Sequence, residues 1–85
     1  MANVEIYTKA TCPYCVRALG LLERKNIDFK RIEVGDDPEK RATLRKKSDG
    51  RHTVPQIFIN GKGIGGCDDL FELEESGELD QMLGD

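Results

Sequence analysis

No stretch of the chain approaches the ~18 consecutive apolar residues that a membrane helix requires. No charged segment leads into a long hydrophobic run near Met1, so no secretory signal is expected. A basic surplus is absent too. The net charge of −3 disfavours a general binder of nucleic acid or of anionic membrane. Cysteines number three, an odd count that suits a secreted disulfide scaffold poorly. In a reducing compartment, close cysteines are more often catalytic or metal-binding than structural. The expectation is a cytoplasmic protein, monomeric, that engages neither nucleic acid nor membrane. Repeats, linkers and low-complexity tracts are missing, and 85 residues make one small domain, 1–85, without a separate cofactor lobe.

The charge that is present is locally polarised. Basic residues gather at Lys40, Arg41, Arg45, Lys46, Lys47, Arg51 and His52, and acidic ones from Asp68 to Asp85. Both clusters read mainly as solvated helix faces. Arg41 alone is singled out below.

Asn3 to Thr8 alternates in polarity and predicts a strand. Pro13 suits the first turn of a helix, where its missing N–H costs little. Cys15, Val16, Ala18, Leu19 and Leu22 make one apolar face of that helix, which runs to about Lys25 and ends at Asn26. Ile27 to Val34 predicts a second strand with Phe29, Ile32 and Val34 as core. Asp37 caps, and Pro38 opens, a second helix whose inward positions are Ala42 and Leu44. After a break at Ser48 to Arg51, Val54 to Asn60 predicts a strand, Asn60-Gly61 a hairpin turn and Gly63 to Gly65 a short return strand. Asp68 is positioned to cap a last helix through Leu73, continued or restarted to Leu83. The order is β-α-β-α-β-β-α. A helix between the first two strands implies that they pair in parallel through a right-handed crossover, with the late hairpin antiparallel.

Cys12-Pro13-Tyr14-Cys15 stands at a strand–loop–helix junction. There Cys12 meets the unpaired N–H groups of a helix N-terminus, with Lys9 just before it, and both favour the nucleophilic thiolate. Cys15, one turn on and facing inward, is suited to resolve a mixed disulfide on Cys12. Ordinary core packing explains Cys15 fairly well and Cys12 badly. Cys12, Cys15, Cys67 and His52 could nominally ligate zinc, but a second Cys-x-x-Cys is lacking, and no metal is expected. Thr53-Val54-Pro55 precedes a strand, where proline is poorly tolerated centrally. A cis Val54–Pro55 bond would leave the Val54 N–H and C=O to pair with an extended thiol peptide. From the residues alone a trans bond is favoured, cis being rarer. Gly65-Gly66-Cys67-Asp68-Asp69 offers close backbone approach and a helix N-terminus to a carboxylate, with Asp68 or Asp69 for an amine. A turn with an Asx cap explains the segment equally well. Cys67 reads as buried filler rather than a third reactive thiol.

These three motifs, with Tyr7-Thr8-Lys9 before and Pro55 to Ile59 after, resemble the dithiol glutaredoxins of bacterial type over essentially the whole chain. The resemblance implies a thioredoxin fold, α/β with a four-stranded mixed sheet flanked by helices, and a cis bond at Pro55. It implies reduction of protein–glutathione mixed disulfides and of protein or small-molecule disulfides. Glutathione would be the electron donor, and no cofactor would be tightly bound. Carried over, Cys12 is the nucleophile and Cys15 the resolving thiol. Lys9 and Arg41 face the glycyl carboxylate of glutathione, and Tyr14 flanks its sulfur. Thr53 and Val54, with Pro55, bind its backbone, and Gly66, Cys67, Asp68 and Asp69 take its γ-glutamyl end. Three departures stand out. Leu19 is apolar where relatives often carry a basic residue, His52 replaces a common arginine, and the turn before Thr53 is one residue longer than in some relatives. An alternative within the family is an iron–sulfur carrier or sensor bridging two protomers with glutathione; Pro13, which stiffens the loop after Cys12, argues against it.

Overall fold

The computed structural model describes residues 2–51 and 53–84. Its elements are β1 (Val4–Thr8), α1 (Pro13–Arg24), β2 (Lys30–Glu33), α2 (Pro38–Lys47), β3 (Gln56–Ile59), β4 (Lys62–Gly65), α3 (Cys67–Ser76) and α4 (Glu78–Met82). The sheet order is β2-β1-β3-β4, with β1 and β2 parallel and the other pairs antiparallel. β1, β2 and β4 therefore point the same way. Their C-terminal ends and the start of β3 share one end of the sheet, and the segments Cys12 to Cys15, Thr53 to Pro55 and Gly65 to Asp69 all lie at it.

Strand alternation gives the sheet two apolar faces. Val4, Ile6, Ile57 and Ile59 pack with Ala18, Leu19, Leu21 and Leu22 of α1 and with Leu70, Leu79 and Leu83. On the other face Tyr7 and Phe58 meet edge to face, with ring centroids 5.6 Å apart, over Val34 and Leu44. α2 covers this face thinly, since Leu44 is its one fully inward side chain. Lys47 supplements it by pairing with Glu5 at 2.8 Å and lying over both aromatic rings. Lys25 clamps the other layer, reaching Glu74 of α3 at 2.7 Å and Asp80 of α4 at 2.6 Å. Hydrogen bonds to Asp80 and Glu74 raise its pKa, so this partly buried ammonium stays charged across the neutral range. No helix among the described residues is long and apolar enough to cross a membrane.

Several expectations hold in detail. Asp37 Oδ1 accepts the N–H groups of Glu39 and Lys40 with Pro38 at the first helical position, a cap worth about 1 kcal/mol. Asn26 closes α1 with φ +56°, and Asn60-Gly61 turns the hairpin with φ +53° and +82°. The Val54–Pro55 bond is cis, as the family resemblance implies and the residues alone do not.

Other expectations are corrected. β2 starts at Lys30 rather than Ile27, because its parallel partner begins at Val4 and the ladder opens at Glu5–Lys30. Phe29 and Ile32 are consequently half-buried at the sheet edge. Val54 and Pro55 precede β3, whose last pair with β1 is Gln56–Tyr7. Val16 is 63% exposed, because its row on α1 leads back to Cys12 at the helix start and not onto a packed turn. Ala42 is exposed: the inward stripe of α2 is Arg41, Leu44 and Ser48, and Ala42 lies about 200° around the helix from Leu44. Asp68 does not cap α3. Gly66 is the capping residue, and the Asp69 carboxylate reaches back to its N–H at 2.9 Å.

Candidate active site

Cys12 ends the Lys9–Thr11 loop and is the N-cap of α1, its Sγ accepting the Cys15 N–H at 3.3 Å. Lone pairs on that sulfur thus face the helix N-terminus, where negative charge is favoured. From the opposite side the Val54 carbonyl lies 3.7 Å from Sγ, within reach of a thiol proton. Cys12 is half-buried, whereas Cys15 is buried beneath it. Burial, reinforced by the hydrogen bond to Cys12 and its charge, pushes the Cys15 thiol up to about 12. One sulfur is accessible and the other is held as a thiol, an asymmetry suited to sequential disulfide exchange. All three cysteines are free. Burial raises the pKa of Cys67 as well, in keeping with filler.

Beside Cys12 runs a cleft of about 680 Å³. Tyr14 stands at one wall, 55% exposed, facing Thr53, Val54 and Pro55 and then Gly66, Cys67, Asp68 and Asp69. Gln56, buried, donates from Nε2 to Thr53 Oγ1 at 3.2 Å and fixes the middle of the cleft. Gly65, at φ +108°, lets the chain turn from β4 into α3. A Cβ there would strike the Asp69 carboxylate and lie 2.9 Å from an Arg51 guanidinium nitrogen.

Eight of the ten residues proposed to hold a ligand thus line one cleft, and Lys9 and Arg41 do not. Lys9 Nζ lies 3.6 Å from Asp36 Oδ1, and Arg41 Nε donates to the Gly35 carbonyl at 2.6 Å. Both cations brace the turn after β2. Asp49, Gly50 and Arg51 line the cleft and were not expected there. The signal was the longer turn before Thr53, which carries Arg51 to the cleft wall. Of the nominal zinc set, His52 lies outside the described residues. Among the described residues no group of three or more such ligands is gathered.

The glutaredoxin family model matches residues 4–64, which hold both Cys12 and Cys15. The chain belongs to the glutaredoxin family. It is 54% identical to glutaredoxin 3 of Escherichia coli strain K12 over 83 residues, 98% of this chain and 99% of that one. With a glutaredoxin of Pseudomonas aeruginosa it shares 53% over 83 residues, 98% of each chain. Among solved structures, the Brucella melitensis glutaredoxin superposes with a TM-score of 0.84 at 49% identity, covering 98% of this chain and 89% of that one. A buckwheat glutaredoxin in complex with glutathione gives 0.86 at 33% identity, covering 96% and 76%. The fold is the thioredoxin fold of this family, and the activity is in general that of a thiol oxidoreductase.

Proposed function

We propose that this glutaredoxin uses glutathione to reduce protein–glutathione mixed disulfides and disulfides in proteins or small molecules. The observation that carries the reading is a half-buried Cys12 sulfur between a helix N-terminus and the Val54 carbonyl, at the side of a cleft with acidic and basic walls. Cys12 attacks the glutathione sulfur of a mixed disulfide. A Cys12–glutathione bond forms, the substrate S–S bond breaks, and the protein leaves as a thiolate that takes a proton. A second glutathione thiolate then attacks the adduct, freeing Cys12 and giving oxidised glutathione, which an NADPH-dependent reductase restores.

In this reading Tyr14 flanks the glutathione sulfur, and Thr53 and Val54 pair with its backbone beside Pro55. Asp68, exposed in the cleft, meets the α-amino group, while the N-terminus of α3 at Gly66 and Cys67 meets the α-carboxylate. Asp69 acts by holding the Gly66 N–H. Arg51 is a cation on the cleft wall beside this end. Lys9 and Arg41 face the glycyl carboxylate only by leaving Asp36 and Gly35. Residues 1–85 serve as one monomeric domain in a reducing compartment, the cytoplasm.

A coupled assay tests this reading. NADPH oxidation on a glutathionylated protein is expected with glutathione and glutathione reductase, and not with thioredoxin reductase supplying electrons. The reverse pattern would make the chain a thioredoxin in function.

A further inference from the structure

The loop that carries Cys12 has no buried side chain of its own. Lys9 is half-buried, and Ala10 and Thr11 are exposed. Its one internal backbone bond runs from Cys12 N–H to the Lys9 carbonyl at 3.1 Å. The contact that ties its middle to the sheet comes from β2, where Glu33 Oε1 accepts the Ala10 N–H at 2.6 Å. The carboxylate is itself oriented. Arg31 lies 3.3 Å from Glu33 Oε2 and donates from Nε to Thr8 Oγ1 at 3.2 Å. Thr8 is fully buried at the end of β1. Thr8, Arg31, Glu33 and Ala10 therefore close a ring that spans the point where β1 gives way to the loop. Register explains why these residues meet. In the parallel ladder Ile6 and Thr8 lie opposite Arg31 and Glu33, and positions two apart on a strand share a face.

We propose that Glu33 is a positioning residue for the redox loop, fixing Ala10 and through it the place of Cys12 at the head of α1. The inference rests on the thiol–disulfide reading above. Charge-assisted hydrogen bonds to a backbone N–H are roughly twice as strong as neutral ones. Transfer between sulfurs is sensitive to placement, since a 1 Å error can cost as much as about a hundredfold in rate. Cys12 Sγ has two neighbours that a shift of the loop would disturb, the Cys15 N–H and the Val54 carbonyl. Glu33 touches neither sulfur, so its effect passes through the backbone. Its charge also acts on the pair, adding slightly to the upward push on the Cys15 thiol.

The acceptor and the charge are separable. Glu33→Gln keeps a carbonyl oxygen for the Ala10 N–H and loses the charge, whereas Glu33→Ala loses both. The Glu33 side chain is 43% exposed on an edge strand, so neither variant opens the core. Expected is a fall of about fivefold in kcat/KM on a glutathionylated protein for Glu33→Ala, with Glu33→Gln within about twofold of the unmodified chain. Hydrogen exchange at the Ala10 amide should quicken in Glu33→Ala alone. Glu33→Ala as fast as the unmodified chain, or Glu33→Gln as slow as Glu33→Ala, would overturn the proposal. If the unmodified chain itself turned over no glutathionylated protein, the functional reading would fail. The Ala10 exchange rates would then decide the role of Glu33, unchanged rates in Glu33→Ala ending it.

Discussion

Cys12→Ser is expected to abolish both reductase activities, by at least about a thousandfold, whereas Cys15→Ser separates them. Removing glutathione from a protein needs one attack by Cys12, and a second glutathione from solution can clear the adduct. Cys15 is not required on that route. Its burial keeps it a thiol, with a pKa pushed up to about 12. A disulfide within a protein leaves Cys12 joined to a bulky partner that glutathione reaches slowly. Once Cys12 is in that bond, the upward push from Cys12 on the Cys15 thiol is gone, leaving burial and a slight push from Glu33 against the lowering effect of a backbone hydrogen bond with Lys9. Cys15 sits one helical turn from the bond to be broken, and such proximity carries a large effective-concentration advantage. Cys15→Ser should therefore keep deglutathionylation at or above the level of the unmodified chain. It should lose about a hundredfold on protein disulfides. Equal loss of both activities in Cys15→Ser would show an obligate dithiol route.

Gly65→Ala is expected to be the most damaging single-methyl change in the chain. At φ +108° an L side chain is strained, by roughly 1–2 kcal/mol if the left-handed region is the guide. The new methyl also meets the Asp69 carboxylate and the Arg51 guanidinium. Moving Asp69 frees the Gly66 N–H and undoes the cap of α3, worth about 1 kcal/mol. The sum is about 2–3 kcal/mol, or a melting temperature lower by about 10 °C or more for a domain of this size. Michaelis constants for glutathionylated substrates should rise with it, because the displaced groups line the cleft. Gly20→Ala is the control. It adds the same methyl inside α1 with nothing within 4 Å, where alanine stabilises a helix by roughly 0.5–1 kcal/mol. A Gly65→Ala protein as stable as the unmodified chain would refute the account of this turn.

The sequence was most legible where one residue type has one physical use. Asp37-Pro38 marked a helix start, Asn60-Gly61 a hairpin, and Cys12-Pro13 a helix whose first residue follows a cysteine. It was least legible where a choice depends on a neighbour distant in the chain. The start of β2 is decided by where β1 begins, and the inward face of α2 by the aromatic pair it covers. The cleft divides along the same line. Its motif residues were readable because each belongs to a short segment built around glycine, proline or cysteine. Arg51 was not, because the turn that carries it offers no ligand-binding chemistry of its own, and its charge reads with the rest of the basic cluster as a solvated face. Arg41 drew attention on family grounds, yet its guanidinium is turned to the Gly35 carbonyl. Glu33 was invisible, since its partner Ala10 lies 23 residues away and offers only a backbone N–H.

The central claim is that Cys12 takes the glutathionyl group itself. The most direct measurement is the intact mass of the Cys15→Ser protein after mixing with a glutathionylated substrate and quenching with acid. The account predicts one added glutathione, mapped to Cys12 and removed by further glutathione. An adduct with the substrate protein in place of glutathione, or no adduct on Cys12 while turnover continues, would contradict it.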